Sequence, residues 1–219
     1  MTIVEIFVGI FAGFRITATV TALGVVFAVP FALVFGVAQY LTTGVANLAI
    51  TAIIEFWRSS AVIILLFVFY YVLPVLGIQL PAITVSAMVL GLNTGGYGSQ
   101  AVRAGLQSLD RGQFEAASAL GLPRQHILTL IELPQALTRM APAFINQFIQ
   151  LIKGTALVSL VTLTDMTFRA KEIAELEYNP VGVYTSLLLA YFVVCYPVTV
   201  FGRWVEQRVG AGRGPTNEF

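Results

Sequence analysis

The sequence predicts an all-α, polytopic membrane protein with about five transmembrane helices, and three observations carry that prediction. The first is composition: 58% of the 219 residues are hydrophobic and 11% are charged, where a soluble domain carries about 25% charged residues. A mean hydropathy of +0.86 agrees. The second is that the apolar residues gather into runs of about 20, the length a helix needs to cross a ~30 Å hydrocarbon core. The third is that most charges fall between these runs.

The elements follow in chain order. Ile3, Phe7, Ile10 and Phe14, flanked by Val4 and Phe11, recur at helical spacing with Glu5 elsewhere. This predicts a short amphipathic helix on the membrane surface, the alternative being that the segment begins the first span. The first span is expected over 16–41, with Gly24, Pro30 and Gly36 inside it, and the others over 48–74, 83–102, 142–163 and 181–202. Gly and Pro are tolerated there because neighbouring helices satisfy the freed backbone groups. Residues 1–219 read as a single transmembrane domain, with a polar loop over 103–140.

Charge sets the expected orientation. Residues 103–140 carry Arg103, Arg111, Arg124 and Arg139 against Asp110, Glu115 and Glu132. The tail carries Arg203, Arg208 and Arg213 against Glu206 and Glu218, so both segments are net basic. Between the fourth and fifth spans, Arg169 and Lys171 face Asp165, Glu172, Glu175 and Glu177, a net acidic segment. The positive-inside rule places the 103–140 loop and the C-terminus in the cytoplasm and the N-terminus and acidic segment outside.

Several function classes are disfavoured. A formal net charge of +1 gives no case for nucleic-acid binding. One cysteine, Cys195, leaves no intrachain disulfide and argues against a thiolate metal site. The only histidine, His126, lies in the polar loop without partners for a triad or a metal, so it reads as a surface residue and not as part of an intramembrane enzyme. No cleavable signal is evident, since Glu5 stands where basic residues belong, and the N-terminus is expected to be retained. A stand-alone secondary transporter remains the alternative class, although no internal repeat or coupling-ion site is visible.

The polar loop is the most informative part of the chain. Residues 113–120 are rich in helix formers, and Gly121-Leu122-Pro123 reads as a helix stop, a turn and a proline opening the next helix. A helix-turn-helix elbow results, with Leu133-Pro134 expected to end its second helix. Glu115 suits a helix N-terminus, and Ala116 and Ala117 let another protein's surface approach closely. The anchors are Glu115, Ala116, Ala117, then Gly121 after three residues, then Ile131, Leu133 and Pro134 after nine more.

This spacing resembles the cytoplasmic coupling signature of the membrane subunits of bacterial ABC importers. From about Thr17 onward the chain is similar to permeases of the polar amino-acid subfamily, which includes histidine, glutamine and arginine systems. The resemblance is carried by 56–60 around Arg58, by Leu92, Asn93 and Tyr97, by 111–117, by 133–136, by Asn146, and by Lys153 before Thr155-Ala156-Leu157. Two positions depart from the family pattern. Arg58-Ser59-Ser60-Ala61 replaces Arg-Gly-Thr-Pro, putting a proline kink in doubt, and Gln100 stands where members often carry Glu, weakening a case for cationic substrates.

The resemblance implies a type I (MetI-like) permease fold in the inner membrane and a second permease subunit, identical or homologous. It also implies two ABC ATPase subunits against the elbow and an extracytoplasmic solute-binding protein that delivers a polar amino acid or similar small zwitterion. ATP and Mg would sit on the ATPase, with no cofactor on this chain. A P-loop is indeed absent, because Lys153 and Lys171 follow Ile152 and Ala170 where the motif needs Gly. The segments 72–74, 91–93 and 155–160 also resemble permeases for ectoine and related compatible solutes.

Polar groups at membrane depth usually face protein or a water-filled cavity. Asn93, Tyr97 and Gln100 fall on one face of the third span, and Asn146, Gln150 and Lys153 repeat that spacing on the fourth. Both stripes are candidate pathway lining, with Lys153 suited to a carboxylate; interhelical hydrogen bonding is the competing role. Gly91, Gly95, Gly96 and Gly98 predict close helix packing. Glu55 and Arg58 are expected to pair near the cytoplasmic boundary. The acidic segment reads either as a binding-protein docking surface or as a solvated helix with pairs such as Lys171 with Glu175.

Overall fold

The computed structural model describes residues 2–210, and for Val209 and Gly210 the backbone alone. Arg213 and Glu218, which contribute to the tail's expected charge balance, lie outside the described residues. Among the described residues there is no β-strand.

Helix α1 (Ile3–Phe11) opens with a capping box: Thr2 Oγ1 accepts from the Glu5 N–H, and the Thr2 N–H donates to the Glu5 carboxylate at 2.8 Å. Ile10, Phe7 and Phe14 of the expected stripe pack inward together with Ile6, while Ile3 is 67% exposed. Met166, Ala170, Val183 and Ala190 cover that face. After Ala12-Gly13 the chain enters α2 (Phe14–Leu41), and the two form one 39-residue helical run, Ile3–Leu41. The alternative reading therefore describes the segment better than an isolated surface helix, because tertiary packing against later helices fixes its direction.

The expected second span is broken. Helices α3 (Gly44–Ser59) and α4 (Val62–Val75) meet at 93° across Ser60-Ala61, both of which have extended backbone. Asn93 Nδ2 donates to the Trp57 carbonyl (2.6 Å) and the Tyr97 hydroxyl to the Arg58 carbonyl (3.1 Å). Two of the carbonyls orphaned by the corner are thus satisfied from a neighbouring helix.

Helix α5 (Ala82–Gln107) leads to the short α6 (Arg111–Ala119). Helix α7 then runs as one piece over Arg124–Val161, tightening into a 3₁₀ helix over Thr155–Val161. Leu133-Pro134 does not end a helix. A π-helical stretch, Ile127–Glu132, lies just before it, and Val68–Val72 precedes Leu73-Pro74 in the same way. A proline lacks the N–H and crowds the carbonyl four residues back. The widened turn supplies a way to keep the helix going past it. Helices α8 (Met166–Glu177) and α9 (Pro180–Gly210) complete the described chain.

The α1–α2 run, α7 and α9 are long and apolar enough to cross a membrane, and the bent α3–α4 pair makes a fourth if counted as one span. Helix α5 is 26 residues long, about 39 Å, but does not meet that standard of apolarity. The reason lies in its surroundings: α5 packs on α2, α3 and α7 and meets protein along most of its length. On α2, Gly24, Ala28, Ala32 and Gly36 recur every four residues; the first three face Gly91, Gly95 and Gly98 of α5, and Gly36 meets Ser99 and Val102. A Cβ at Gly95 would lie 2.9 Å from the Ala28 carbonyl oxygen, and one at Gly91 would run into the Gly24 carbonyl. The smooth α5 surface is thus a helix-packing surface.

Asp165 caps α8. Its carboxylate accepts from the N–H groups of Phe168 (2.9 Å) and Thr167 (3.1 Å) although the residue is fully buried. Burial raises its pKa above the ordinary 3.8, with the backbone donors opposing. The folded chain thus holds this proton more tightly than the unfolded chain. The group's contribution is fully present below 3.8 and is lost as pH rises through the higher folded value. Asp165→Asn, which keeps the cap acceptor, is expected to match or exceed the parent's thermal midpoint at neutral pH, while Asp165→Ala loses about 1 kcal/mol. Thermal unfolding of the detergent-solubilised variants checks both. Lys171, expected to pair with Glu175, instead donates to Ser159 Oγ at 3.1 Å, and Arg169 pairs with Glu172 at 2.9 Å.

Candidate functional site

The elbow is built from caps. Asp110 accepts the Gly112 N–H at 2.9 Å and starts α6. The helix ends as a Schellman motif, with the Leu122 N–H on the Ala117 carbonyl (3.2 Å) and the Gly121 N–H on that of Ser118 (2.9 Å). Gly121 has φ +77°, a left-handed conformation that other residues adopt only with strain. Glu115 and Ala116 are exposed, as an interaction surface requires. Ala117 differs from expectation: it is 4% exposed and faces its own chain. Ile131 and Leu133 are half-buried, and Pro134 is exposed.

A polar clamp that sequence reading missed holds the elbow to the bundle. Arg124 Nη1 pairs with Glu132 Oε2 at 2.6 Å, and Glu132 is only 5% exposed. The guanidinium lies 5.0 Å from the Phe114 ring centre and 5.6 Å from that of Tyr40, whose hydroxyl reaches Glu132 Oε1 at 3.4 Å. One arginine thereby joins α6, the π stretch of α7 and the end of α2. A second tie runs from Gln135 Nε2 to Gln113 Oε1 at 2.7 Å. Aromatic residues spaced about an arginine carry no sequence pattern until the fold brings them together.

The two polar stripes part company. Asn93, Tyr97 and Gln150 line one cavity of about 380 Å³ beside the α3–α4 corner, together with Thr94 and Gln147. Asn93 and Tyr97 already serve that corner, and Arg58 lies 5.9 Å over the Tyr97 ring while paired with Glu55 at 3.3 Å. This pair stands level with Gly96, about midway along α5, and so not near an end of the bundle as expected. Gln147 and Gln150 keep free amides among the described residues. Gln147 sits one residue off the predicted stripe, and only the packing of α7 turns it inward.

Gln100, Asn146 and Lys153 lie outside this cavity. Gln100 donates to Gln39 Oε1 (3.0 Å), and Gln39 to Thr51 Oγ1 (2.8 Å), a bridge between α5, α2 and α3. Asn146 and Lys153 are exposed on one side of α7 with Gln150, and Lys153 has no ion pair among the described residues. The arrangement offers amide and hydroxyl groups at mid-height and an unpaired cation beside them. Such groups suit a small polar solute and not covalent chemistry, and no cluster of metal-ligating side chains occurs among the described residues.

Residues 5–211 match the family described as the binding-protein-dependent transport system inner membrane component. The chain belongs to this family. As such a component it is a multi-pass membrane protein and the permease subunit of an ABC importer. It is 31% identical over 199 residues to a probable glutamine ABC transporter permease of Bacillus subtilis, covering 90% of this chain and 91% of that one. It is 35% identical over 167 residues to a probable amino-acid ABC transporter permease of Sinorhizobium fredii, covering 74% and 70%. Among solved structures, the crystal structure of an amino acid ABC transporter with histidines superposes with a TM-score of 0.84. The identity is 28%, over 95% of this chain and 100% of that one. The MetNI methionine ABC transporter in an inward-facing conformation shares the fold at a TM-score of 0.74 and 20% identity, over 95% and 99% of the two chains.

Proposed function

We propose that this permease carries a polar amino acid or similar small zwitterion across the bacterial inner membrane, driven by ATP hydrolysis on separate subunits. The observation that supports it most is the near end-to-end likeness to a probable glutamine permease. The polar cavity at mid-height adds a chemical reason, since Gln147 and Gln150 offer unused amides to a solute carrying both charges. In this reading a second permease subunit completes the pathway, and a solute-binding protein docks outside, where α8 and the N-terminus lie. Two ATPases, holding ATP and Mg, press on the elbow from the cytoplasm, where the C-terminus also lies.

The elbow's anchors Glu115, Ala116, Ala117, Gly121, Ile131, Leu133 and Pro134 are then the coupling residues. Asn93, Tyr97, Gln100, Asn146, Gln150 and Lys153 belong to the pathway walls, in part as its braces. ATP binding favours one of two arrangements of the helices, and the elbow passes that bias to α7. Glu115→Lys in the complex reconstituted in vesicles with its ATPase and binding protein is expected to lower uptake about tenfold while ATP hydrolysis continues. Parent-level uptake by this variant would overturn the coupling role, and calorimetry of the binding protein against amino acids tests the substrate class.

A further inference from the structure

At the elbow end of the bundle, Gln39, Thr42, Thr43, Asn47, Arg103 and Gln107 line a wide, open hollow of about 660 Å³ between α2, α3 and α5. No carboxylate lines it. Arg103 has no hydrogen bond or ion pair among the described residues, and its Nε is buried without a partner. Among the other cations at this end, Arg124 is paired with Glu132, Arg139 donates to the Ser108 carbonyl, and Arg111 is exposed to solvent. Leaving a guanidinium unpaired in a half-buried place is costly unless an anion arrives from outside. The first turn of α3 opens beside the same cavity without a side-chain cap, which adds a weak attraction of the same sign.

The rim says what kind of anion fits. Leu48 lines the cavity and is exposed, as are Leu41 and Val45 beside it. An apolar rim around a polar, cationic hollow near the end of a membrane bundle matches a molecule with a charged head and hydrocarbon tails. We propose that this cavity binds an anionic phospholipid, its phosphate on Arg103 and its acyl chains against Leu41, Val45 and Leu48. Basic pockets between membrane helices take lipid headgroups by this chemistry. Arg presents two N–H groups side by side to phosphate oxygens, which Lys cannot do. The Thr43 hydroxyl, which caps no backbone N–H, is a neighbouring donor, whereas that of Thr42 is committed to the Ala38 carbonyl at 2.7 Å.

The test uses the purified full-length chain in detergent, titrated with phosphatidylglycerol, phosphatidylcholine or inorganic phosphate and followed by native mass spectrometry and thermal midpoint. The parent is expected to prefer phosphatidylglycerol over phosphatidylcholine by about fivefold or more, the worth of one basic residue at an anionic surface. Arg103→Gln should abolish the preference, and Arg103→Lys should retain part of it. Arg111→Gln, in a different cavity, should leave it intact. An unchanged preference in Arg103→Gln overturns the assignment. So does inorganic phosphate that stabilises the parent as well as the lipid does, since the site would then take a free anion. The Lys and Arg111 variants guard against a folding artefact: loss of preference in both would attribute the effect to general damage and overturn the proposal.

Discussion

Gly91→Leu is expected to abolish accumulation of the protein in the membrane. Any Cβ at 91 runs into the Gly24 carbonyl and comes within 2.8 Å of the Phe27 Cβ. An extra methylene in a packed core costs about 1–3 kcal/mol when side chains can yield. Here the opposing atoms are largely backbone, and yielding means parting α2 from α5. Gly91→Ala should already lower the thermal midpoint, with Gly95→Ala following it, since its Cβ would meet the Ala28 carbonyl at 2.9 Å. Gly154→Ala serves as the control, because its Cβ would touch only the Leu90 side chain at 3.4 Å. Immunodetection in membrane fractions and thermal unfolding in detergent measure the series. Parent-level yield from Gly91→Leu would show that the α2–α5 contact is looser than described.

The second large effect concerns the elbow clamp, and its two halves are unequal. Arg124 is more than a third exposed, whereas the Glu132 side chain is 7% exposed. Removing Glu132 leaves a cation that water can still reach. Removing Arg124 leaves a carboxylate whose other partner is the Tyr40 hydroxyl at 3.4 Å. Breaking a fully buried pair costs about 3–5 kcal/mol, and the exposure of Arg124 reduces this to roughly 1–3 kcal/mol. Arg124→Ala is therefore expected to loosen the elbow more than Glu132→Gln does. Faster amide exchange in α6 and faster proteolysis near Gly121 are the readouts. The double variant Arg124→Met with Glu132→Leu should recover much of the loss, because it leaves no stranded charge. Equal effects from the two single variants would contradict the burial asymmetry.

What the sequence made legible follows from the range of each interaction. The elbow is readable because its signals are local: Gly121 as a helix stop and Pro123 as a starter. The small residues of α5 announced close packing for the same reason, since a glycine row leaves few other uses in a membrane helix. The corner at Ser60-Ala61 was not readable, because no proline marks it and its carbonyls are capped by Asn93 and Tyr97 from more than thirty positions away. Ala117 looked like an outward partner of Ala116, yet the turn of α6 directs it inward. Leu133-Pro134 looks like a helix end, and the widened turn upstream lets α7 continue through it. Gln100 shares a face with Asn93 and Tyr97, but a long-range contact with Gln39 decides what it does. Short-range chemistry survives translation into one dimension, and pairings between distant helices do not.

The mesh of α2 with α5 constrains how the molecule can deform. Two rods in contact at backbone distance have no lubricating layer of side chains, so shear between them is blocked and they travel as one keel. Compliance must reside elsewhere, and the right-angled joint that Asn93 and Tyr97 brace from α5 is a place for it. A push arriving from below would then tip the keel as a unit while that joint opens or folds beside it.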